Sequence, residues 1–409
     1  MNPSESGVKT PPVGLSGLVL TAGGARGAYQ AGVLKRIGEF SRFRGKPSPF
    51  PIIVGASAGA INGAALAAGS GDFHAVTQLL AQLWENIRPN HIYRTDVMGL
   101  SAGALRWAKD LGFGGVFGGG TAQSLLDARP LKEFLSRSLP FERINESITK
   151  NHLYAVGVVA TNYYSGKSYC FIEGRQGHAI WVKSRRVAVP VKLNVNHIWA
   201  SASIPIVFQP VLIESENGSF YYGDGGLRLV APLSPAIRLG ASKVFAIGIR
   251  SHKAAESRSE EHLLEQQGKK PVMRKPPLAQ IFGVALNSIF LDHLDTDVEH
   301  LKRMNELLSH YDRGPDGKVS TTRMREPMRQ VDCFMINPSE DLAKIAEGLT
   351  HRMPAMIRYF MEGLGTSRAQ SADLMSYLLF DPSYTKILIE IGYRDADAQR
   401  DKIEEFLST

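Results

Sequence analysis

Short apolar runs bounded by glycine, proline or polar clusters alternate along this chain with longer segments in which apolar positions recur at helical spacing. The run GLSGLVL (14–20) reads as a strand that feeds the turn TAGGARG, and AYQAGVLKRIGEF (28–40) then has the spacing of a helix. PFPIIVGAS (49–57) reads as a second strand. Strand, helix and strand in that order form a βαβ unit and predict a parallel sheet. Helices are expected over 72–88 and 124–138. LYAVGVVATNYY (153–164) and YCFIE (169–173) read as a β-hairpin around Ser165-Gly166. The stretch 197–213 reads as a short helix followed by an extended piece set by Pro205 and Pro210. Next come the tyrosine-rich β segment before Asp224 and the strand KVFAIGI (243–249). A long amphipathic pattern over 278–308 precedes VDCFMINP (331–338), expected as the last strand of the same sheet, and the remainder reads as mostly helical.

Composition narrows the class. The chain has 409 residues, 44% apolar and 21% charged, enough for a real core. No apolar run reaches the roughly 18 residues that span a bilayer, and the start MNPSESGVKTPP lacks the features of a signal peptide. A cytoplasmic location is expected. Two cysteines, Cys170 and Cys333, are too few for a disulfide framework or a cysteine-based zinc site. The net charge of +8 favours anionic partners. With no zinc-finger spacing, RNP pattern or basic heptad helix, anionic lipid is a better match than nucleic acid.

Three short stretches carry candidate chemistry. GASAG (55–59) matches the G-x-S-x-G elbow, in which small neighbours let a strained serine project its hydroxyl. It also suits plain close packing of a helix on a sheet. AGGARG (22–27) lies between a strand and a helix, where successive N–H groups can line an anion hollow. An oxyanion hole from Gly23 and Gly24, with Arg26 adding charge or bracing the loop, competes there with a dinucleotide fingerprint. The fingerprint lacks its first glycine, because Ala22 stands there, and lacks the ribose-binding acid. YYGDGG (221–226) is an ordinary turn signal, or a general base at Asp224 with Gly225 and Gly226 permitting close approach. A serine hydrolase of the Ser-acid-His order would need His252, His293 or His300, and none of these has a glycine-framed or strand-end context. A Ser57/Asp224 pair fits better.

AGGARGAYQAGVL, GASAG and YYGDGG, in this order, resemble the three signature blocks of the patatin-like phospholipases, and ASASIPIVFQPV (200–211) and SLLDARPLKEFL (124–135) resemble stretches common in bacterial members. The resemblance implies a three-layer α/β/α fold with a mostly parallel central sheet. It also implies a Ser/Asp dyad that cleaves acyl esters of lipids without a metal or cofactor. By position, Ser57 would be nucleophile and Asp224 base. Gly23, Gly24 and Arg26 would form the oxyanion loop, with Gly27, Gly55, Gly59, Gly225 and Gly226 as motif glycines. The departure is Ala22, where the family usually has the first of three glycines. The expected substrate is a phospholipid or another acyl lipid, with peripheral contact to an anionic membrane and no nucleic acid. A soluble carboxylesterase or thioesterase on the same dyad, or a non-catalytic nucleotide-binding protein using the glycine loop, are the alternatives. A free aspartate is a weak base, so desolvation is expected to raise the pKa of Asp224.

The expected organisation is a disordered tail (1–13), a patatin-like acyl hydrolase domain (14–350) with polar insertions at about 252–277 and 312–330, and a helical C-terminal extension (351–409). The glycine- and aromatic-rich stretch 97–120, with Arg106, Trp107, Lys109 and Phe113, reads as a core-facing cap or an interfacial lid. Lys183, Arg185, Arg186 and Lys192 read as a solvated basic loop. His293, Asp297 and His300 read as one exposed helix face rather than a metal site, and DRGPDG (312–317) lacks the alternating ligands of an EF-hand.

Overall fold

The computed structural model describes residues 14–95, 124–216, 218–251, 281, 292–311, 329–354, 357–358 and 372–408. The tail 1–13, the 97–120 stretch and nearly all of both polar insertions lie outside the described residues.

Nine strands among them form one mostly parallel sheet flanked by helices, a three-layer α/β/α fold. In chain order they are β1 (Leu15–Leu20), β2 (Ile52–Ala56), β3 (Ala155–Asn162), β4 (Ser168–Gly174), β5 (Arg186–Pro190), β6 (Val211–Ser215), β7 (Gly218–Asp224), β8 (Ala241–Ile247) and β9 (Asp332–Ile336). The main path runs β5-β4-β3-β2-β1-β8-β9, with β7 paired to both β3 and β6. The interior strands are rich in apolar residues because layers cover both faces; every residue of β2 and β3 is buried. The edge strands β5 and β9 are only partly covered.

The helices used below are α1 (Gly27–Gly38), α2 (Ala58–Ala68), α3 (Phe73–Glu85), α4 (Arg129–Ser138), α5 (Glu142–Thr149), α6 (Val195–Ser201), α7 (Asp292–Tyr311), α8 (Leu342–Gly348), α9 (Ala372–Leu378), α10 (Pro382–Ala398) and α11 (Arg400–Ser408). Among the described residues, no helix is long and apolar enough to cross a membrane.

Two local expectations change. Residues 124–128 are not helical. The N–H groups of Leu125 and Leu126 donate to the carbonyls of Ile206 and Val207, both at 2.8 Å. Pro130, which suits a first helical turn, starts α4 after this pairing. The basic stretch expected as a solvated loop contains β5, paired parallel to β4. The amphipathic pattern expected over 278–308 is helical over Asp292–Tyr311, and 278–280 and 282–291 lie outside the described residues.

The C-terminal helices are packed into the helical layer. α10 lies against α1 so closely that a Cβ at Gly32 would sit 2.0 Å from the Ile389 carbonyl oxygen, and one at Gly392 would sit 2.2 Å from that of Tyr29. Two glycines therefore set this crossing. Beside it the Tyr29 hydroxyl donates to Asp395 at 3.1 Å. This second neighbour explains why α1 is buried nearly all round, with only Lys35 and Arg36 partly exposed.

Candidate active site

The site begins where two neighbouring parallel strands turn into helices. β1 ends at Leu20, and the chain passes through Thr21–Gly23 into a short helical turn, Gly24–Arg26, before α1. β2 ends at Ala56, and Ser57 alone separates it from α2. Ser57 has φ 55° and ψ −124°, a conformation that L side chains rarely adopt. Such strain amounts to about 1–3 kcal/mol. It is tolerable because its flanks are anchored: Ile52, Ile53 and Val54 are buried, each contributing about 1.5–3 kcal/mol. Gly59 makes the turn sterically feasible, since a Cβ there would meet the Leu20 carbonyl oxygen at 2.2 Å.

Sheet register brings Asp224 to this serine. Ala56, the last residue of β2, is opposite Val159 of β3. Asp224, the last residue of β7, is opposite Ala160. β2 runs parallel and β7 antiparallel to β3, so their C-terminal ends approach head-on along β3, one residue apart. Two hydroxyls fasten this junction. The Ser201 hydroxyl, at the end of α6, donates to the Val159 carbonyl (2.5 Å) and accepts the Ser57 N–H (2.9 Å). The Thr161 hydroxyl donates to the Asp224 carbonyl at 2.8 Å, and the Asp224 N–H donates to the Ser203 carbonyl at 2.8 Å.

Both side chains are buried, Ser57 at 2% exposure and Asp224 at 0%. Asp224 Oδ1 accepts the Gly226 N–H at 2.8 Å. Burial pushes the carboxyl up to about 7, against the lowering by the Ser57 hydroxyl and the Gly226 N–H. The hydroxyl is thus near enough to act on the carboxylate. Among the described residues, though, Oδ2 has no partner that meets full hydrogen-bond geometry, so the Ser57–Asp224 contact is close but not a fully formed bond. No histidine figures among the groups that shift Asp224. His293 and His300 instead act on Asp297, whose carboxylate accepts the Leu233 N–H at 2.8 Å. His252 lies outside the described residues.

The glycine loop stands beside Ser57. Gly24, at φ 53°, and Ser57 line one narrow cavity. The N–H groups of Gly24 and Ala25 open the helical turn, where backbone donors have no partner within the helix. Arg26 is not aimed at this cavity. Its buried guanidinium donates to the Ser376 hydroxyl (2.8 Å) and to Asp373 (3.0 Å), and lies 4.4 Å from the Tyr377 ring centroid. Burial opposes its charge, but Tyr377, Tyr384 and Asp373 outweigh burial and hold its pKa above the ordinary value. Of the two sequence-level roles for Arg26, the geometry fits bracing and not added charge at an oxyanion. Gly27 contacts Ala58 and Trp84, Gly55 backs onto Gly59, and Gly225 onto the Val159 carbonyl, so these glycines, with Gly226 and its N–H to Asp224, serve close packing around the junction.

A buried polar chain links the two turns. Trp84 Nε1 donates to Asn62 Oδ1 (2.7 Å), Asn62 Nδ2 donates to Gln30 Oε1 (2.9 Å) and to the Gly27 carbonyl (3.1 Å), and Gln30 Nε2 donates to the Thr21 carbonyl (3.0 Å). The rest of the cavity is apolar, with Ile61, Trp84, Phe134, Ile204, Phe208 and Phe380 among its walls and about 20 Å3 of free space. Ile206, between two of these walls, has φ 70°, a second outlier at the site. A larger groove of about 380 Å3 between α2, α3 and α5 shares the Leu83 wall but contains neither Ser57 nor Asp224.

Residues 18–237, more than half of the chain, match the family model for patatin-like phospholipases. The chain belongs to the patatin-like phospholipase family. At that level it is a lipid acyl hydrolase. No curated protein matches it. Among solved structures, the crystal structure of VipD from Legionella pneumophila is similar at 14% identity, over 93% of this chain and 67% of that one, with a TM-score of 0.28. The patatin-like match covers both turns and Asp224 but stops well before the residues that grip Arg26. Those residues, Asp373, Ser376 and Tyr377, together with Phe380, Ser201 and Thr161, were not singled out by sequence. Only Ser201 lay within a stretch noted for its family likeness.

Proposed function

We propose that this chain cleaves fatty acyl esters of phospholipids, releasing a fatty acid and a lysophospholipid, with Ser57 as nucleophile and Asp224 as general base. What supports this most is the head-on approach of β2 and β7 along β3, which puts a strained serine beside a buried carboxylate. A carboxyl near 7 is poised for proton transfer at neutral pH, unlike a solvated aspartate.

In the proposed sequence, Asp224 accepts the hydroxyl proton as Ser57 Oγ bonds to the ester carbonyl carbon. The oxyanion is held by backbone N–H groups of the loop Gly23–Ala25. Collapse of the tetrahedral intermediate breaks the ester C–O bond, and the leaving lysophospholipid alkoxide takes the proton from Asp224. Water, deprotonated by the same carboxylate, then attacks the acyl-serine; the second tetrahedral intermediate collapses with cleavage of the Oγ–C bond, Ser57 takes the proton back from Asp224, and the fatty acid leaves. The apolar cavity would hold the acyl chain. With about 20 Å3 free, its walls must give way as a chain enters.

Mass spectrometry of phospholipid vesicles incubated with the wild type and with Ser57→Ala tests this function, with a short-chain ester run in parallel. Fatty acid release by the wild type alone is expected. Turnover of only the short ester would instead identify a soluble esterase on the same residues. No Ser57-dependent release from either substrate would rule out both.

A further inference from the structure

The segment Asp373–Phe380 lies far beyond the matched residues 18–237, yet three of its contacts reach the site itself. The first is to the glycine loop: the Tyr377 carbonyl oxygen occupies the space that a side chain on Gly24 would fill, 2.3 Å from an ideal Cβ position. The second is the grip on Arg26 by Asp373, Ser376 and the Tyr377 ring. The third is Phe380, a wall of the cavity that holds Ser57. Its ring stacks on Trp84 at 6.5 Å between centroids and meets Tyr93 edge-on at 6.4 Å. The segment is pinned in this place, since the Tyr93 hydroxyl donates to the Leu378 carbonyl at 3.2 Å.

We infer that Asp373–Phe380 is a working wall of the catalytic site: Asp373, Ser376 and Tyr377 position the glycine loop through Arg26 and Gly24, and Phe380 limits the length of acyl chain the site accepts. The inference presupposes the acyl-hydrolase function proposed above. Oxyanion donors are effective only when fixed before charge develops, and this loop has one face toward the cavity and the other against Tyr377. A cavity with so little free space should also discriminate strongly by wall size.

The test uses the full-length chain and p-nitrophenyl esters with acyl groups from acetyl to palmitoyl, below their aggregation limits. Replacing Phe380 by Leu should raise the ratio of kcat/KM for long over short chains by about tenfold, and Phe380→Trp should lower it by a similar factor. Asp373→Asn should reduce kcat on every ester by about tenfold with KM within about twofold, and Asp373→Glu should recover part of that loss. For Phe380, a packing role alone would alter melting temperature, or all esters equally, and would leave the chain-length ratio in place. If Phe380→Trp does not fold, Phe380→Leu decides by itself. An unchanged ratio in a folded Phe380 variant, or wild-type kcat in Asp373→Asn, overturns the inference while leaving acyl hydrolysis standing. A wild type that turns over no ester of any length removes the function and the inference together.

Discussion

The turns after β1 and β2 are neighbours on parallel strands, and each carries a residue at nearly the same positive φ, 53° at Gly24 and 55° at Ser57. At the first turn glycine adopts this conformation freely, and the Tyr377 carbonyl leaves no room for anything larger. At the second turn a side chain is kept despite strain of about 1–3 kcal/mol. Glycine would serve there if shape were all that mattered. The contrast separates a turn selected for its backbone from a turn selected for its side chain, and it locates the proposed chemistry at the second.

The sharpest way to break this comparison is to remove the hydroxyl while keeping the turn. Ser57→Ala should lower fatty acid release by at least about 10⁴-fold, measured against vesicles, with the far-ultraviolet spectrum unchanged. The converse change adds a methyl where only backbone fits. Gly24→Ala should lower kcat by about 10²–10³-fold, as expected from displaced oxyanion donors, and should also lower the melting temperature. Ser57→Gly then isolates the strain. Relief offset by glycine's extra chain entropy should leave a gain of about 1 kcal/mol in denaturant unfolding, in a protein with no activity.

A pH-dependent effect concerns the stability contribution of Asp224. Its folded pKa, about 7, lies above the ordinary carboxylate range. Between that range and about pH 7 the folded chain keeps a proton that the unfolded chain has lost, so stability falls as pH rises through this window and levels off above it. Asp224→Asn should therefore melt close to the wild type near pH 4 and a few degrees higher near pH 8, as scanned by calorimetry.

Much of the backbone-built half of the site was legible in the sequence. A glycine loop and a small-framed serine need fixed residue types at fixed spacing, and a buried parallel strand declares itself as an unbroken apolar run. What brings Ser57 and Asp224 together was not visible locally, because it depends on which residues of β3 face the ends of β2 and β7. The strand β5 was hidden by its partly exposed edge position, where basic residues and apolar ones mix. Asp373, Ser376 and Tyr377 were hidden for a different reason. On their own short helix they follow no motif or spacing, and they gain meaning only through Arg26, some 350 residues earlier in the chain.

The partnership of Asp224 with Ser57 is tested most directly by the rate at which a fluorophosphonate probe labels the protein between pH 5 and 9, in the wild type and in Asp224→Asn, an interval of about two pH units either side of the Asp224 pKa. Wild-type labelling is expected to rise through a single ionisation near pH 7, and Asp224→Asn to be labelled far more slowly with no inflection there. An Asp224→Asn protein labelled at the wild-type rate, with the wild-type pH profile, would contradict the partnership.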